Sequence, residues 1–274
     1  MNIIEVNHNT CTKCGICADS CSLGLIDFKP DEFPIPGSLI EQLCIKCGHC
    51  VAVCPSGSLT HRNIPVEKCL PIQNELQITS EQCEQLLKSR RSIRVYKNTP
   101  VPRDIILKLI DIARYSPSGH NSQNIEWLVI DNKNDLQHIR EVGIDWMRWN
   151  IKSHPEILAF FDLRIVLSRM ENGVDELLRG APVLIITCVN SGNVMASTSC
   201  TIALSYLELA AKSMGLGCCW SGLIHQASTS NFPPMTEALA IPKGYVCCGS
   251  MLLGYPKYKY PRIPVRNPPN ITWH

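Results

Sequence analysis

The chain has 274 residues, 45% of them hydrophobic and 18% charged, with a formal net charge of +2. That length allows one large domain or two ordinary ones, and the composition is that of a globular protein with a real core. A charge so near balance gives no footing for nucleic acid or for an acidic membrane surface.

The opening MNIIEVNHNT is polar and lacks a basic stretch followed by an apolar one, so no secretory signal is expected. The longest apolar runs, such as VLIITCV at 183–189, fall far short of the ~20 residues that span a bilayer. No membrane partner is expected, and the location expected is cytoplasmic. There are 16 cysteines, and 8 of them form two regular quartets near the amino terminus. In a chain without a secretory signal, such spacing points to metal ligation and to a reducing compartment of the kind an anaerobe provides.

The first quartet is CTKCGICADSC, with Cys11, Cys14, Cys17 and Cys21; the second, in LCIKCGHCVAVCP, is Cys44, Cys47, Cys50 and Cys54. Both are spaced C-x2-C-x2-C-x3-C, and the second repeats the first 33 positions later. Three thiolates two residues apart wrap a tight loop around one cubane, and the fourth reaches the neighbouring one. The pair of motifs resembles the bacterial two-cluster ferredoxins over about residues 1–62. That resemblance implies one [4Fe-4S] cluster on Cys11, Cys14, Cys17 and Cys54, and another on Cys44, Cys47, Cys50 and Cys21. Two zinc sites are the competing reading, since thiolates bind zinc well, but zinc knuckles rarely place four cysteines in one eleven-residue run twice over.

One departure from the ferredoxin pattern is Ser22, which stands where a proline usually follows the fourth cysteine. Proline there sets the backbone and supplies no ligand. Gly15 and Gly48 follow the second cysteine of each quartet and are expected to let the backbone bend close to the inorganic sulfides. His49, between two ligands, reads as a solvated loop side chain or, alternatively, as a group that tunes a cluster's potential. The segments LIDF (25–28) and SLTH (58–61) read as short strands.

Residues 63–79 carry Pro65 and Pro71 and show no period, which predicts an ordered connector. A helix is expected from Thr79–Ser80, with Ser80 as its N-cap, running toward RRSIRVYK. In that segment Arg90, Arg91 and Arg94 set three guanidinium groups around Ser92. This is a solvated basic face or an anion site, because the arginine fork matches phosphate oxygens. Residues 103–116 have apolar positions 105, 106, 109, 110, 112 and 113, an amphipathic helix begun after Pro102. The polar turn YSPSGHNSQ follows, and then a strand, EWLVI (126–130).

R-R-S-x-R, a helix, P-S-G-x-N-S-Q, GLGCCWSGL (215–223) and LGYPKYKYPRIP (253–264), taken together, resemble the nitroreductase family of flavoproteins over residues 81–274. The resemblance implies an α+β fold with an antiparallel-rich sheet, a homodimer, and FMN at the dimer interface. By position it gives Arg90, Ser92 and Arg94 to the FMN phosphate, ribityl chain and pyrimidine end, with Arg91 beside them. Arg262 adds a charge at the phosphate, with Lys259 and Arg266 as alternatives. Pro117, Ser118, Gly119 and Asn121 approach the flavin from the partner subunit. Ser221 and Gly222 lie near N5, where a backbone N–H can meet the atom that exchanges hydride. The proton donor to product is His225 or water.

Residues 194–214 form the longest helix candidate, apolar on nearly every face, and hence buried within a domain or across a dimer interface. Residues 144–180, with Trp146, Met147 and Trp149, read as packing or alternatively as a lid over the flavin. The other cysteines, Cys69, Cys83, Cys188, Cys200, Cys218, Cys219, Cys247 and Cys248, read mostly as small core hydrophobes. The expected whole is therefore α+β: a ferredoxin-like domain with two clusters over 1–62, a connector over 63–79, and a nitroreductase-like FMN domain over 80–274. Its expected function is an oxidoreductase that passes electrons from the clusters through FMN to a small-molecule acceptor, a nitro compound, quinone or activated alkene. The alternative is a non-enzymatic electron-transfer or redox-sensing protein acting on a protein partner. No G-x-G-x-x-G follows a strand, so no Rossmann nicotinamide site is expected, and an external low-potential electron donor is a further partner the fusion implies.

Overall fold

A computed structural model describes residues 2–153, 162–193 and 196–274. The chain divides into two compact units. The first runs to Gln77 and takes in His120–Ser122; the second holds Ile78–Gly119 and Gln123–His274.

The first unit is small and built by duplication. Strand β1 (Ile4–Val6), helix α1 (Ile16–Asp19), the pair β2 (Ile26–Asp27) and β3 (Ile35–Pro36), helices α2 (Ile40–Leu43) and α3 (His49–Ala52), and strand β4 (Leu59–His61) follow in order. β1 pairs antiparallel with β4, Ile4 opposite His61, and β2 with β3, Ile26 opposite Pro36. The core is thin: Ile3, Ile4, Leu25, Ile26, Ile40, Val51 and Leu59, with cysteine sulfurs packed against it. The stretch expected to be a connector holds two short 3-10 turns, Val66–Lys68 and Asn74–Leu76. Its residues 63–77 belong to the first unit, where Val66 N–H donates to Thr60 Oγ1 at 3.1 Å.

The second unit carries a four-stranded sheet in the order β5-β6-β8-β7, antiparallel throughout, with β5 at Glu126–Ile130, β6 at Val183–Asn190, β7 at Gly217–Trp220 and β8 at Tyr245–Gly254. Around it lie α4 (Ser80–Ser89), α5 (Arg103–Ala113), α6 (Lys133–Ser153), α7 (Leu163–Glu171), α8 (Ala196–Ser213), α9 (Gly222–Thr229) and α10 (Pro233–Ala238). The run VLIITCV is central strand β6, buried along its length. Its alternate residues feed two cores, Leu184, Ile186 and Cys188 on one face and Val183 and Ile185 on the other. A strand covered on both faces must be apolar at every position, which is why no alternation marks it. Trp146, Met147 and α9 belong to the first of these cores; α5 and α8 supply Leu109, Leu204 and Leu207 to the second.

Several expectations are corrected. The cap of α4 is Thr79, not Ser80: Thr79 Oγ1 accepts from Gln82 N–H at 3.2 Å, and Gln82 Oε1 accepts from Thr79 N–H at 3.0 Å. Three residues beyond Ser80 stands Cys83, which has no amide or carboxylate to reach back. The longest helix among the described residues is α6, 21 residues, rather than α8 at 18. Within 144–180, Trp146 and Met147 are fully buried, Trp146 donating Nε1–H to Ser230 Oγ at 2.7 Å, so these two are core. Residues 154–161 of that stretch, and 194–195 of the expected helix, lie outside the described residues. Cys69 is exposed and Cys83 half-buried, so neither is a core residue. Cys218 and Cys219 point into opposite cores, as neighbours on a strand must. Among the described residues, no helix is long and apolar enough to cross a membrane.

Candidate functional site

The two quartets fold alike. Lys13 and Lys46, 33 positions apart, have φ of 55° and 53°, and Gly15 and Gly48 have φ of 74° and 76°. The left-handed turn at each glycine starts a one-turn helix that carries the third cysteine. A Cβ on Gly15 would stand 2.5 Å from Phe28 Cε1, so glycine is needed there for both conformation and space.

A hollow is lined by Cys11, Cys14, Cys17 and Cys54, which joins three thiols of the first quartet to the last of the second. Burial pushes the Cys50 thiol up to about 11, with Cys47, Cys44 and Cys21 adding to the rise. The hollow holds the thiols that the ferredoxin resemblance implies for one cluster. Among the described residues no three histidine, cysteine or carboxylate side chains close on one point as a single ion requires; the thiols line a hollow instead. Of the four thiols Cys17 is buried, Cys11 and Cys54 are half-buried and Cys14 is exposed; thiolates at this spacing suit an iron–sulfur core.

Backbone donors face the sulfurs: Leu25 N–H reaches Cys21 Sγ at 3.3 Å and Ser58 N–H reaches Cys54 Sγ at 3.2 Å. His49 is exposed, in keeping with a solvated loop side chain. Sequence reasoning missed His61, which is buried and stands 3.6 Å from Cys44 Sγ. The signal was available, because His61 lies one repeat beyond Phe28 and breaks the apolar pattern.

In the second unit, Ile93 N–H donates to the Cys218 carbonyl at 2.8 Å and lays the RRSIR segment along β7. Beside it opens a cavity of about 480 Å³, within the size range of small-molecule sites. Five cations line it, Arg90, Arg91, Lys97, Lys212 and Lys259, against one carboxylate, Glu208. Glu208 is buried on α8, accepts from Arg90 at 2.9 Å, and also accepts from Trp220 Nε1 at 3.4 Å. Burial, then Arg91 and Arg90, push the Lys212 ammonium below its ordinary pKa. Among the described residues, Arg91 Nε is buried without a hydrogen-bond partner. Crowded cations and an orphaned guanidinium N–H fit a phosphate, and Gly215, Leu216, Gly217 and Cys218 give the cavity a wall of small or apolar residues.

The other expected residues divide. Ser92 and Arg94 do not line this cavity; Arg94 lies at the Cys219 thiol, whose pKa is raised chiefly by burial and drawn back by Arg94. Of the three expected carboxy-terminal cations, Lys259 lines the cavity, Arg266 lines a neighbouring hollow with Arg90 and Arg91, and Arg262 lines neither. Ser221 N–H is already given to the Ser250 carbonyl at 3.0 Å. Gly222 opens α9, where helix geometry leaves its N–H without an intrahelical acceptor.

Pro117, Ser118 and Gly119 lie in the second unit, where Ser118 Oγ accepts from Gln123 N–H at 3.1 Å. Asn121 is grouped with the first unit, its Nδ2 donating to the Lys46 carbonyl at 2.8 Å and the Ile45 carbonyl at 3.3 Å. His225, on α9, is half-buried with Nδ1 3.7 Å from Cys247 Sγ, and burial lowers its pKa.

A helix-covered antiparallel sheet with a cationic cavity, on one chain with two cysteine quartets of ferredoxin spacing, defines a protein of the α+β class. The nitroreductase family model matches residues 87–255, and a 4Fe-4S dicluster domain model matches residues 10–59. The chain belongs to the nitroreductase family and carries an amino-terminal 4Fe-4S dicluster domain; it is an oxidoreductase.

Its relatives include the FMN reductase [NAD(P)H] of Bacillus subtilis, 27% identical over 187 residues, which are 65% of this chain and 68% of that one. The fold matches a Bacteroides fragilis nitroreductase solved with bound FMN, at a TM-score of 0.58 and 21% identity, over 70% of this chain and 98% of that one. It also matches an FMN-bound nitroreductase from Desulfitobacterium hafniense, at a TM-score of 0.56 and 24% identity, over 72% and 99%.

Proposed function

We propose that this protein is an FMN-dependent reductase whose dicluster domain delivers electrons, through the flavin, to a small organic acceptor: a nitro compound, a quinone or an activated alkene. The observation that carries the flavin assignment is the cavity beside β7, where, among the described residues, five cations surround a single carboxylate and Arg91 Nε has no partner. The FMN-bound relatives support it. FMN supplies the conversion between single electrons, which clusters carry, and the pairs an organic acceptor takes.

The chain's own residues have separate tasks. Arg90, Arg91, Lys212 and Lys259 hold the phosphate; Glu208 fixes Arg90 so that its fork is preset. Gly222 N–H is the donor toward the flavin edge, since Ser221 N–H is spent on Ser250. Arg262, Ser92 and Arg94 are assigned to the flavin by family position alone, as are Pro117, Ser118, Gly119 and Asn121. Cys11, Cys14, Cys17 and Cys54 hold one cluster, and Cys21, Cys44, Cys47 and Cys50 the other.

Covalent fusion keeps the donor at a high effective concentration; in this reading an external low-potential donor supplies the electrons and the clusters are their entry point. A homodimer is part of this reading. Ile202, Tyr206 and Leu209 form an apolar stripe at i, i+4 and i+7 on α8 that the single chain leaves partly open. The cytoplasm is the proposed location.

The test replaces Cys47 and Cys50 with serine and follows anaerobic turnover of a nitroaromatic. With a ferredoxin-type donor, turnover should fall at least tenfold while FMN content stays whole. Unchanged turnover would show that electrons do not enter through the second cluster.

A further inference from the structure

The two halves of the first unit can be compared position by position across the 33-residue repeat. Leu25 and Ser58 are equivalent, and each gives its backbone N–H to the fourth cysteine of its quartet, at 3.3 and 3.2 Å. Phe28 and His61 are equivalent too, and here the halves part. Phe28 lies over Gly15 and offers no polar atom. In the second half Ile64 takes the place over Gly48, leaving the His61 ring to a different neighbour.

That ring is buried on β4, and its Nε2 stands 3.6 Å from Cys44 Sγ. Its other nitrogen is already committed: Asn63 N–H donates to His61 Nδ1 at 3.0 Å. An imidazole that accepts at Nδ1 carries its hydrogen on Nε2. The Asn63 backbone therefore fixes the tautomer and points an N–H at the cysteine sulfur.

We propose that His61 is a positioning residue that tunes the second cluster, holding its reduction potential up through an Nε2–H···Sγ hydrogen bond to Cys44. A donor on a ligand sulfur offsets the negative charge that arrives with the electron, so it favours the reduced cluster. The first cluster has no imidazole at the equivalent place; there the Ser56 hydroxyl stands 3.7 Å from Cys54 Sγ, with its hydrogen directed to Ser58 Oγ at 2.6 Å. The two clusters are thus set by different groups and can be shifted independently. This inference rests on the reading that Cys21, Cys44, Cys47 and Cys50 hold an iron–sulfur cluster.

The experiment uses the full chain, purified without oxygen, as wild type, His61→Leu and His61→Gln. Iron and acid-labile sulfide are assayed first; if the wild type holds zinc or lacks sulfide, the cluster reading fails and the inference with it. Each form is then titrated with dithionite under EPR. In His61→Leu one of the two cluster waves should move to lower potential, by three- to tenfold in its one-electron equilibrium, a tenfold change being 59 mV. The other wave should stay. His61→Gln, whose amide nitrogen reaches the Nε2 position, should recover most of the shift. Unmoved waves in His61→Leu, or equal shifts in the two variants, would overturn the proposal. Hyperfine spectroscopy of the reduced wild type with 15N-labelled histidine reads the same contact without a substitution: a coupled imidazole nitrogen supports it, and none overturns it.

Discussion

Gly217→Ala is a substitution of one methyl group whose cost follows from the structure. A Cβ built on Gly217 would lie 2.3 Å from Ile93 Cγ1, 2.9 Å from Ile93 Cβ and 2.9 Å from Pro256 Cγ. Ile93 is only 7% exposed and belongs to the core, so it has no room to retreat. The conformation of Gly217 is open to alanine, since its φ is not in the left-handed region, and the cost is therefore contact alone. Overpacking of this kind costs about 1–3 kcal/mol. Pushing the segments apart also strains the Ile93 N–H···O=C Cys218 bond, about 1 kcal/mol more.

A loss of about 2–4 kcal/mol should lower the midpoint of the second unit's thermal transition by roughly 5–15 °C. The same movement displaces Arg90 and Arg91 from the cavity, so flavin content on purification should fall together with the midpoint. Calorimetry and absorbance of the purified variant read both. Gly192→Ala is the control, because its added Cβ meets Asn190 Oδ1 at an ordinary 3.4 Å. A Gly217→Ala protein with unchanged midpoint and full flavin would refute the packing of RRSIR on β7.

Other outcomes are equally specific. Arg91→Met should weaken FMN binding by about tenfold or more, as expected for a lost charge-assisted phosphate contact, while leaving the iron content unaltered; equilibrium dialysis and iron assay measure the two. Glu208→Ala strands Arg90 and the Trp220 indole; with Arg90 partly solvated, the cost should be about 1–3 kcal/mol in denaturant unfolding rather than the 3–5 of a fully buried pair. Trp146→Ala removes a fully buried ring and its bond to Ser230 and should cost about 3–5 kcal/mol by the same method. Burial raises the thiols of Cys188 and Cys200 to about 12, so only about one in ten thousand is thiolate at pH 8. Iodoacetamide on the native protein should label exposed Cys69 and spare these two until the fold is denatured.

The cysteine quartets were legible because their spacing is set by reach along the chain, which needs no knowledge of the fold. Helix α5 was legible because it has one solvent-facing side and shows its period, and strand 126–130 because four apolar residues follow a polar turn. Helix α6 was not, although its buried positions 136, 139, 143, 146, 147 and 150 keep a helical spacing. Two of them are Gly143 and Asn150, residue types that read as turn or surface. Gly143 is there because any Cβ would stand 2.5 Å from Leu177, a contact no local pattern reveals. The cationic cavity was half legible. Arg90 and Arg91 stood out as a motif, but Lys97, Lys212 and Glu208 arrive from other elements, and only tertiary packing brings them to the same wall.

The central claim is that clusters and flavin form one circuit feeding a small molecule. The most direct measurement is the absorption spectrum of the fully reduced protein, without oxygen, as a substoichiometric nitroaromatic is added. The account predicts that the flavin band and the broad cluster absorbance return together as the nitroaromatic is consumed. A flavin that reoxidises while the clusters stay reduced would contradict it.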